Sequence, residues 1–322
     1  MNDQDLKRLN RNHDAETALK ALENALAELS GKSCSVSIDL MFGRPGQTLK
    51  DWNDELHTIC QNFPTLKHMS LYQLTVERGT QLWKDVNANL VKMPNEDVQA
   101  DMYDLAVEKL SQFGLQRYEV SNFACDYDSQ SKHNKSYWNG NDYIGIGPGA
   151  HSRFFPPMDD ALSQEIAAYV LRGNNPPAVR SGNNYRHARV QTLEPEAWMR
   201  EVEVVSHATR KIDYLSNEDV LSELLATSLR TNVGLTEDLW LSKINEITFD
   251  SRNYNKDESI NFALKYIVEN DEKCQRFLQN GTVIVDGENN LRMSQNGLKY
   301  LDHVLPYLLS SLHKHMSKLV QS

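Results

Sequence analysis

A run of six residues combines side chains that could bind a ligand. The sequence HNKSYW, from His133 to Trp138, brings an imidazole, an amide, a phenol and an indole close together. A neutral imidazole can bind haem iron as an axial ligand, and aromatic rings can cover a porphyrin face. The same side chains could instead pin a surface loop to the core, with the imidazole in an ordinary hydrogen bond. Taken alone, the residue types favour the loop interpretation and leave haem binding open.

A carboxylate interrupts an otherwise apolar predicted strand. Asp39 lies within SVSIDLMF, the segment from Ser35 to Phe42. Burying a carboxylate without partners is costly, so we expect hydrogen-bond donors around it. Because ligands of parallel α/β folds bind at the carboxyl ends of the strands, Asp39 could accept from a ligand hydroxyl or amine. It could equally cap the loop that follows.

Two glycine-containing turns and one cysteine are weaker candidates. The turns are GRPGQT, from Gly43 to Thr48, and GIGPGAHS, from Gly145 to Ser152, and both could expose backbone amides to an anion. Neither matches a Walker motif or a dinucleotide fingerprint, so an ordinary turn is the favoured interpretation. Cys125 could bind a soft metal, although a free thiol is the commoner state. None of the three decides a function.

The first half of the chain reads as an α/β unit, residues 1–155. Apolar periodicity predicts helices from Ala15 to Leu29, after the cap Thr48, and after Asn95, with strands at 35–42, 68–76, 115–123 and within DYIGIGPGAHS. Alternating strands and helices favour crossover connections and a parallel sheet. About four strands are too few to close a barrel, and the first has no partner on one side, so the sheet looks like part of a larger one. HNKSYW falls in a long connection, residues 124–142, with no predicted element.

The second half predicts a different architecture. Residues 156–195, rich in Pro, Asn and Gly, are expected to form a linker or surface excursion. Residues 196–322 predict several helices, then a hairpin within TVIVDGENNLRMS and a closing helix, which is typical of a winged-helix domain. Acidic side chains outnumber basic ones from Ser206 onward, so this domain lacks the charge of a DNA-binding module.

Composition excludes several classes of protein. The net charge of −10 argues against a general nucleic-acid binder. We expect no membrane span, because no apolar run approaches the roughly 18 residues required. The first residues resemble neither a secretory signal nor a transit peptide. The four cysteines are scattered, which favours reduced thiols over a disulfide framework.

Five segments together carry a family resemblance: SIDLMFGRPGQT, HMSLYQLTVERGT, YEVSNFA, HNKSYW and DYIGIGPGAHSR. In this order and spacing they resemble the HemW family of haem chaperones, relatives of the oxygen-independent coproporphyrinogen oxidases in the radical SAM superfamily. The resemblance implies the C-terminal part of a radical SAM partial (β/α) barrel, followed by a winged-helix-like domain. ARVQTLEPEAWMREV and SLRTNVGLT resemble the animal mitochondrial branch, which implies a mitochondrial location; without that resemblance we would expect a cytoplasmic protein.

The resemblance also implies site residues and ligands. Haem would be handled by His133, Asn134, Tyr137 and Trp138. S-adenosylmethionine (SAM) would be bound by Arg11, Asp39, Thr75 and His151. The implied partners are haem and respiratory haem-protein acceptors, with no nucleic acid, while the oligomeric state, including a homodimer, stays open.

The sequence departs from the family pattern in two ways. The family has a Cys-x-x-x-Cys-x-x-Cys motif that binds a [4Fe-4S] cluster, and no such motif is present here. On the resemblance, Met1 corresponds to a point midway through the barrel, so the chain is expected to be either an incomplete gene product or a short form. In either case we expect no reductive SAM cleavage by this polypeptide alone. Arg44 replaces an apolar residue of the family, which we expect to be a minor change in an exposed turn.

Three functions therefore remain to be distinguished. The preferred one is a haem chaperone that delivers haem to respiratory proteins. The second is a coproporphyrinogen oxidase-like radical SAM enzyme whose cluster segment is missing from this sequence. The third is a non-catalytic adaptor that has no affinity for haem.

Overall fold

The computed structural model describes residues 3–155, 179–180, 184–247 and 263–321. Internal contacts divide the chain into two units, Met1–Ser131 and Lys132–Ser322. This division assigns HNKSYW to the second unit. The predicted domain boundary near residue 155 stays a prediction, because residues 156–178 lie outside the described ranges.

In the first unit, helices and short strands alternate along the chain. The elements are α1 (Asp3–Arg8), α2 (Ala15–Glu28), β1 (Ser37–Phe42), α3 (Leu49–Asn62), β2 (His68–Gln73), α4 (Gln81–Asn87), α5 (Glu96–Gln112), β3 (Gln116–Arg117) and β4 (Asn122–Ala124).

Side-chain caps fix where the helices of this unit begin. The Thr48 hydroxyl accepts from the Asp51 amide, and the Asp51 carboxylate accepts from the Thr48 amide, so a capping box opens α3 at the predicted cap residue, Thr48. The Asn95 side chain caps α5 by accepting from the Val98 amide, and Gly114 ends that helix with a positive φ. The turn GRPGQT thus leads into a helix that is capped by its own side chains, which agrees with the ordinary-turn interpretation.

The sheet of this unit has the strand order β1-β2-β4-β3. β1 and β2 pair in parallel, as the α3 crossover predicts, but β4 runs antiparallel to both β2 and β3. The predicted single third strand is therefore wrong. It is two short strands, because the chain turns at 118–121 and β4 inserts beside β2. Residue periodicity predicts extended structure but does not specify strand direction.

The core lies between one face of this sheet and helices α3 and α5. Its buried members include Leu40, Phe42, Trp52, Leu56, Met69, Leu71, Met102, Leu110 and Phe123. Trp52 is completely buried and donates its indole N–H to the Met102 carbonyl oxygen at 3.0 Å. The aromatic side chain thus contributes apolar area without leaving a polar atom unsatisfied.

The turn after β1 contains a buried ion pair that the sequence did not predict. The exposed fraction of Arg44 is only 6%, and its guanidinium pairs with Glu55 of α3 and, at 3.5 Å, with Asp5 of α1. The expectation that Arg44 is a minor change in an exposed turn is therefore wrong. The arginine crosses from the turn to two helices, and both carboxylates it meets are themselves nearly buried.

The second unit combines a small antiparallel sheet with a group of helices. Its described elements are α6 (Lys132–Trp138), β5 (His151–Phe154), β6 (Val179–Arg180), β7 (Asn184–Tyr185), β8 (His187–Gln191), α7 (Pro195–Val205), β9 (Thr209–Tyr214), α8 (Asn217–Ser228), α9 (Glu237–Ile247), α10 (Lys265–Glu269), α11 (Glu272–Gln279), β10 (Val283–Val285), β11 (Leu291–Met293), a 3₁₀ turn (Gly297–Tyr300) and α12 (Leu301–Gln321).

Strand β5 pairs antiparallel with β8, and β8 pairs antiparallel with β9. The predicted fourth strand of a parallel sheet is therefore wrong, since only His151–Phe154 of that segment is a strand and it belongs to this second sheet. The preceding glycines form a tight loop instead, and a side chain at Gly145 would meet the His151 carbonyl oxygen.

Helices α8 to α12 surround the apolar centre of this unit, and the hairpin β10–β11 lies before α12 as predicted. Buried members of that centre include Leu221, Leu225, Trp240, Ile244, Ile267, Leu291, Leu308 and Leu312. The winged-helix and partial-barrel descriptions stay predictions, while the mixed α/β class is confirmed. Within the described ranges, no helix has the length and apolar character needed to cross a membrane.

Candidate functional site

HNKSYW forms most of helix α6, so the predicted irregular connection is wrong at this point. The helical repeat gives the motif two sides, because residues four apart lie on the same face. His133 and Tyr137 share one face, and Asn134 and Trp138 share another. A sequence of only seven residues is too short for its pattern to predict a helix and the residues that share each of its faces.

The His133 side of α6 is open to solvent. The imidazole is exposed and meets the Tyr137 ring edge-on, with ring centroids 4.8 Å apart. Tyr137 in turn meets Tyr143 edge-on at 4.6 Å. Neither imidazole nitrogen of His133 makes a hydrogen bond to any residue that the structure describes. The exposed ring is therefore held by its aromatic contact with Tyr137.

The end of α6 that carries Trp138 attaches the helix to α8. The Trp138 carbonyl accepts from the Ser228 hydroxyl at 2.7 Å, and the Arg230 guanidinium lies 5.5 Å from the Trp138 ring centroid. Trp138 and Asn134 are half-buried. The contacts of Trp138 fit an anchoring role, and its predicted contact with haem stays a prediction.

A cavity of about 230 Å³ lies beside α6 within the second unit. Its lining combines aromatic, apolar and charged groups: Tyr137, Gly140, Asn141, Tyr143, Arg153, Arg186, Val220, Glu223, Leu224, Ala226, Thr227 and Lys243. Gly140 turns the chain after α6 with φ +63°, and a β-carbon there would lie 2.9 Å from a methyl group of Leu224. Only glycine fits this close approach without strain.

Asp39 occupies a different environment from the one expected. It is the third of six residues in β1 and is exposed, because strand alternation turns Leu40 and Phe42 to the core and Asp39 to the opposite face. It makes no hydrogen bond or ion pair within the described part of the chain. The expectation of a buried carboxylate surrounded by donors is wrong. Asp39 is an exposed carboxylate on one face of the sheet.

The other predicted SAM-binding residues are also exposed. Thr75 follows β2 at the same edge of the sheet where β1 ends, since the Leu74 amide still bonds to the Phe42 carbonyl oxygen. Arg11 lies between α1 and α2, and across the described residues no ion pair joins it to Asp39. His151 opens β5 in the second unit. A shared SAM site for the four residues stays a prediction.

Comparisons with known proteins find similarity across almost the whole chain. The chain is 35% identical over 315 residues to radical S-adenosyl methionine domain-containing protein 1, mitochondrial, of Danio rerio, covering 97% of this chain and 60% of that protein. The Mus musculus protein of the same name is 35% identical over 314 residues, covering 98% and 61%. This chain is their homologue. It spans about 60% of the length of these curated relatives.

The bacterial haem chaperones are homologues as well. The chain is 34% identical to heme chaperone HemW of Bacillus subtilis (strain 168) over 146 residues, covering 45% of this chain and 37% of HemW. No protein-family model matches. These relatives confirm the resemblance to HemW and to the mitochondrial radical SAM domain-containing proteins.

The fold of this homologue also matches a solved structure. Coproporphyrinogen III oxidase (HemN) from Escherichia coli, described as a radical SAM enzyme, aligns with a TM-score of 0.61 and 15% sequence identity, covering 96% of this chain and 62% of HemN. At this identity the match shows the fold alone. The chain therefore has a fold like that of a radical SAM enzyme.

The cysteines of this HemW homologue do not fit a [4Fe-4S] cluster, whose iron atoms need thiolate ligands. All four thiols are free, and Cys60 and Cys274 are buried, which raises their pKa values to about 11 and about 12. Burial also raises the pKa of Cys125. Among the residues that the structure describes, no three His, Cys, Asp or Glu side chains could together hold a metal ion.

Sequence reasoning identified Tyr137 but missed the other charged and aromatic residues around the cavity. Arg153 follows His151 in the segment AHSR, so proximity to a family motif could have identified it. Tyr143 begins the segment YIGIG, so it could have been identified in the same way. Lys243 and Arg186 carry no local signal, since only the packing of α9 and β8 brings them to the end of α6.

Proposed function

We propose that this protein binds haem at helix α6, with His133 as an axial ligand of the iron, and passes the haem to other haem proteins. The observation that carries the proposal is the exposed imidazole of His133, held edge-on by Tyr137. A carrier must bind haem reversibly, and a single ligand on an open helix face suits capture and release better than a sealed pocket. The names of the HemW homologues support the same role.

The anchored side of α6 supports this function physically. Contacts of Trp138 with Ser228 and Arg230 hold the helix, so little conformational freedom is lost when iron binds His133. The neighbouring rings of Tyr137 and Tyr143 offer apolar surface to a porphyrin. Helix α6 therefore combines a ligand, an apolar contact surface and a fixed base.

Other parts of the proposal come from the relatives. We propose that the chain acts in mitochondria and serves respiratory haem proteins, by analogy with relatives whose names include mitochondrial and heme chaperone. SAM binding near Asp39 belongs to the same proposal, with Arg11, Thr75 and His151 as further candidates. We propose no reaction through an iron–sulfur cluster, since the cysteines present do not fit one.

Replacing His133 with Ala is expected to weaken haem binding by at least about tenfold. Even the loss of a residue that only supports a metal ligand costs roughly 10- to 100-fold in metal affinity. Haem titration followed by the Soret band would measure this change. The matched control is His303→Ala, because exposed His303 also lies four residues before a tyrosine on a helix, with ring centroids 5.8 Å apart.

Three outcomes would count against the haem proposal. Identical Soret shifts for the wild type and the His133→Ala variant would remove His133 as the ligand. A wild type without haem affinity would favour the adaptor function. Conversion of coproporphyrinogen by the wild type would instead favour the oxidase-like enzyme, whose fold the chain shares.

A further inference from the structure

The cavity beside α6 is lined by three cationic side chains, and we infer that it binds a carboxylate arm of the haem, one of its propionates. This inference rests on the proposed haem function and adds a second contact to the iron ligand. The cations are Arg153, Arg186 and Lys243, and the described lining contains one carboxylate, that of Glu223.

The charges around the cavity can accept a further anion. Arg153 holds Glu223 in a two-pronged pair, in which Nη2 donates to Oε1 at 2.9 Å and Nε donates to Oε2 at 3.2 Å. Lys243 and Arg186 are both nearly buried, and both donate to the Gly140 carbonyl oxygen, at 3.2 and 3.3 Å. A carboxylate that replaces this neutral acceptor would add charge–charge attraction to hydrogen bonds whose donors are cationic.

Lys243 and Arg186 also meet carboxylates of the protein. The Lys243 ammonium lies 2.6 Å from Glu246, and the Arg186 guanidinium lies 3.6 Å from Asp142. These carboxylates orient the two cations in the absence of ligand. The ligand is therefore expected to join an existing ionic network and to take the place of the Gly140 carbonyl oxygen.

The size and walls of the cavity fit one arm of a tetrapyrrole. A volume of about 230 Å³ is below the roughly 300–1,000 Å³ of pockets that enclose a drug-sized ligand, so the macrocycle itself must stay outside. Val220, Leu224 and Ala226 supply apolar wall beside the cations. A propionate has the matching pattern, with two methylene groups that lead to a carboxylate.

Tyr137 connects this cavity with the proposed iron site. Its ring lines the cavity and also contacts the His133 imidazole. One ligand that carries both an iron and a flexible carboxylate could therefore occupy both places. This connection favours haem over a small free carboxylate, which would fill the cavity alone.

A comparison of the affinities for haem and haem dimethyl ester shows whether the cavity binds a propionate of haem. We expect the full chain to bind haem about tenfold more tightly than the ester, the size of one charged hydrogen bond. Lys243→Gln should weaken haem binding by about the same factor and leave ester binding unchanged, while Lys243→Arg should restore the preference. The matched control is Lys211→Gln, an exposed lysine of β9 that pairs with Asp213.

The possible results separate this inference from the haem proposal. Equal affinity of the wild type for haem and its ester would overturn the propionate site and leave the His133 proposal standing. No binding of either compound would overturn both. We expect sodium propionate to compete with haem no more strongly than sodium chloride does at the same concentration. Strong competition by propionate, together with equal affinity for haem and its ester, would assign the cavity to a small free carboxylate instead. Thermal unfolding of each variant shows whether a loss of binding reflects a loss of fold.

Discussion

Replacing Arg44 with Leu is expected to lower the free energy of unfolding of the first unit by about 3–5 kcal/mol, the usual cost of removing one partner from a buried ion pair. The change removes the guanidinium that pairs with both Glu55 and Asp5, and the side chains of both carboxylates are at least nine-tenths buried. A leucine at this position would be acceptable only where the surrounding side chains are apolar too.

Urea denaturation would measure the effect of Arg44→Leu, and hydrogen exchange of α1 and α3 would locate it. The matched control is Arg8→Leu, because Arg8 pairs with the same Asp5 at 3.9 Å but is half-exposed. Exposed pairs contribute roughly 0–1 kcal/mol, so this control should change stability little. Equal, small effects of both replacements would show that the buried pair contributes no more than a surface pair.

Acidification from pH 6.5 toward pH 4 is expected to destabilise the second unit by roughly 3 kcal/mol through His187 alone. His187 is fully buried in β8, and burial, with the nearby Arg189 guanidinium, lowers the pKa of its imidazole from 6.5 to about 4. The unfolded chain therefore binds the proton more readily. The stability contributed by neutral His187 is complete above pH 6.5 and is lost as the pH falls toward 4.

The surroundings of His187 explain why its neutral form is favoured. Arg189 donates to Nδ1 at 3.0 Å, so a proton on that nitrogen would face a guanidinium. The Tyr214 ring meets the imidazole edge-on at 4.8 Å, and Phe154 lies 6.2 Å away. A charged imidazole would thus be surrounded by rings and one cation, with no carboxylate among these contacts.

Urea denaturation at several pH values, with His187→Gln as the comparison, would measure this contribution. Glutamine keeps an oxygen acceptor for Arg189 but does not titrate in this range. We expect the variant to show a shallower decline of stability between pH 6.5 and 4 than the wild type. If both proteins lose stability in parallel, carboxylates elsewhere account for the acid sensitivity and His187 does not.

Local patterns in the sequence predicted the elements that depend on local forces. The helices α2, α3 and α5 and their caps follow from apolar periodicity and from Thr48 and Asn95 at their starts. The parallel pair β1–β2 follows from the crossover through α3. The family resemblance, confirmed by the homologues, also depended on short runs of sequence.

Tertiary packing decided what local pattern does not contain. The alternation of side chains along a strand is the same whether one face of the sheet or both faces are covered. The exposure of Asp39 therefore depended on which face of the sheet α3 and α5 cover. The inserted strand β4 and the second sheet with β5 depend on pairing between distant segments. The burial of Arg44 likewise depends on α1 and α3 meeting at one turn.

The candidate site divides in the same way. The sequence by itself determined that an imidazole and two aromatic rings occur within HNKSYW, because residue identity and spacing are fixed by the chain. Only the tertiary structure decided that His133 faces solvent while Trp138 contacts Ser228 and Arg230. The cations of the cavity come from segments up to about a hundred residues away, and long-range packing alone brings them to Gly140.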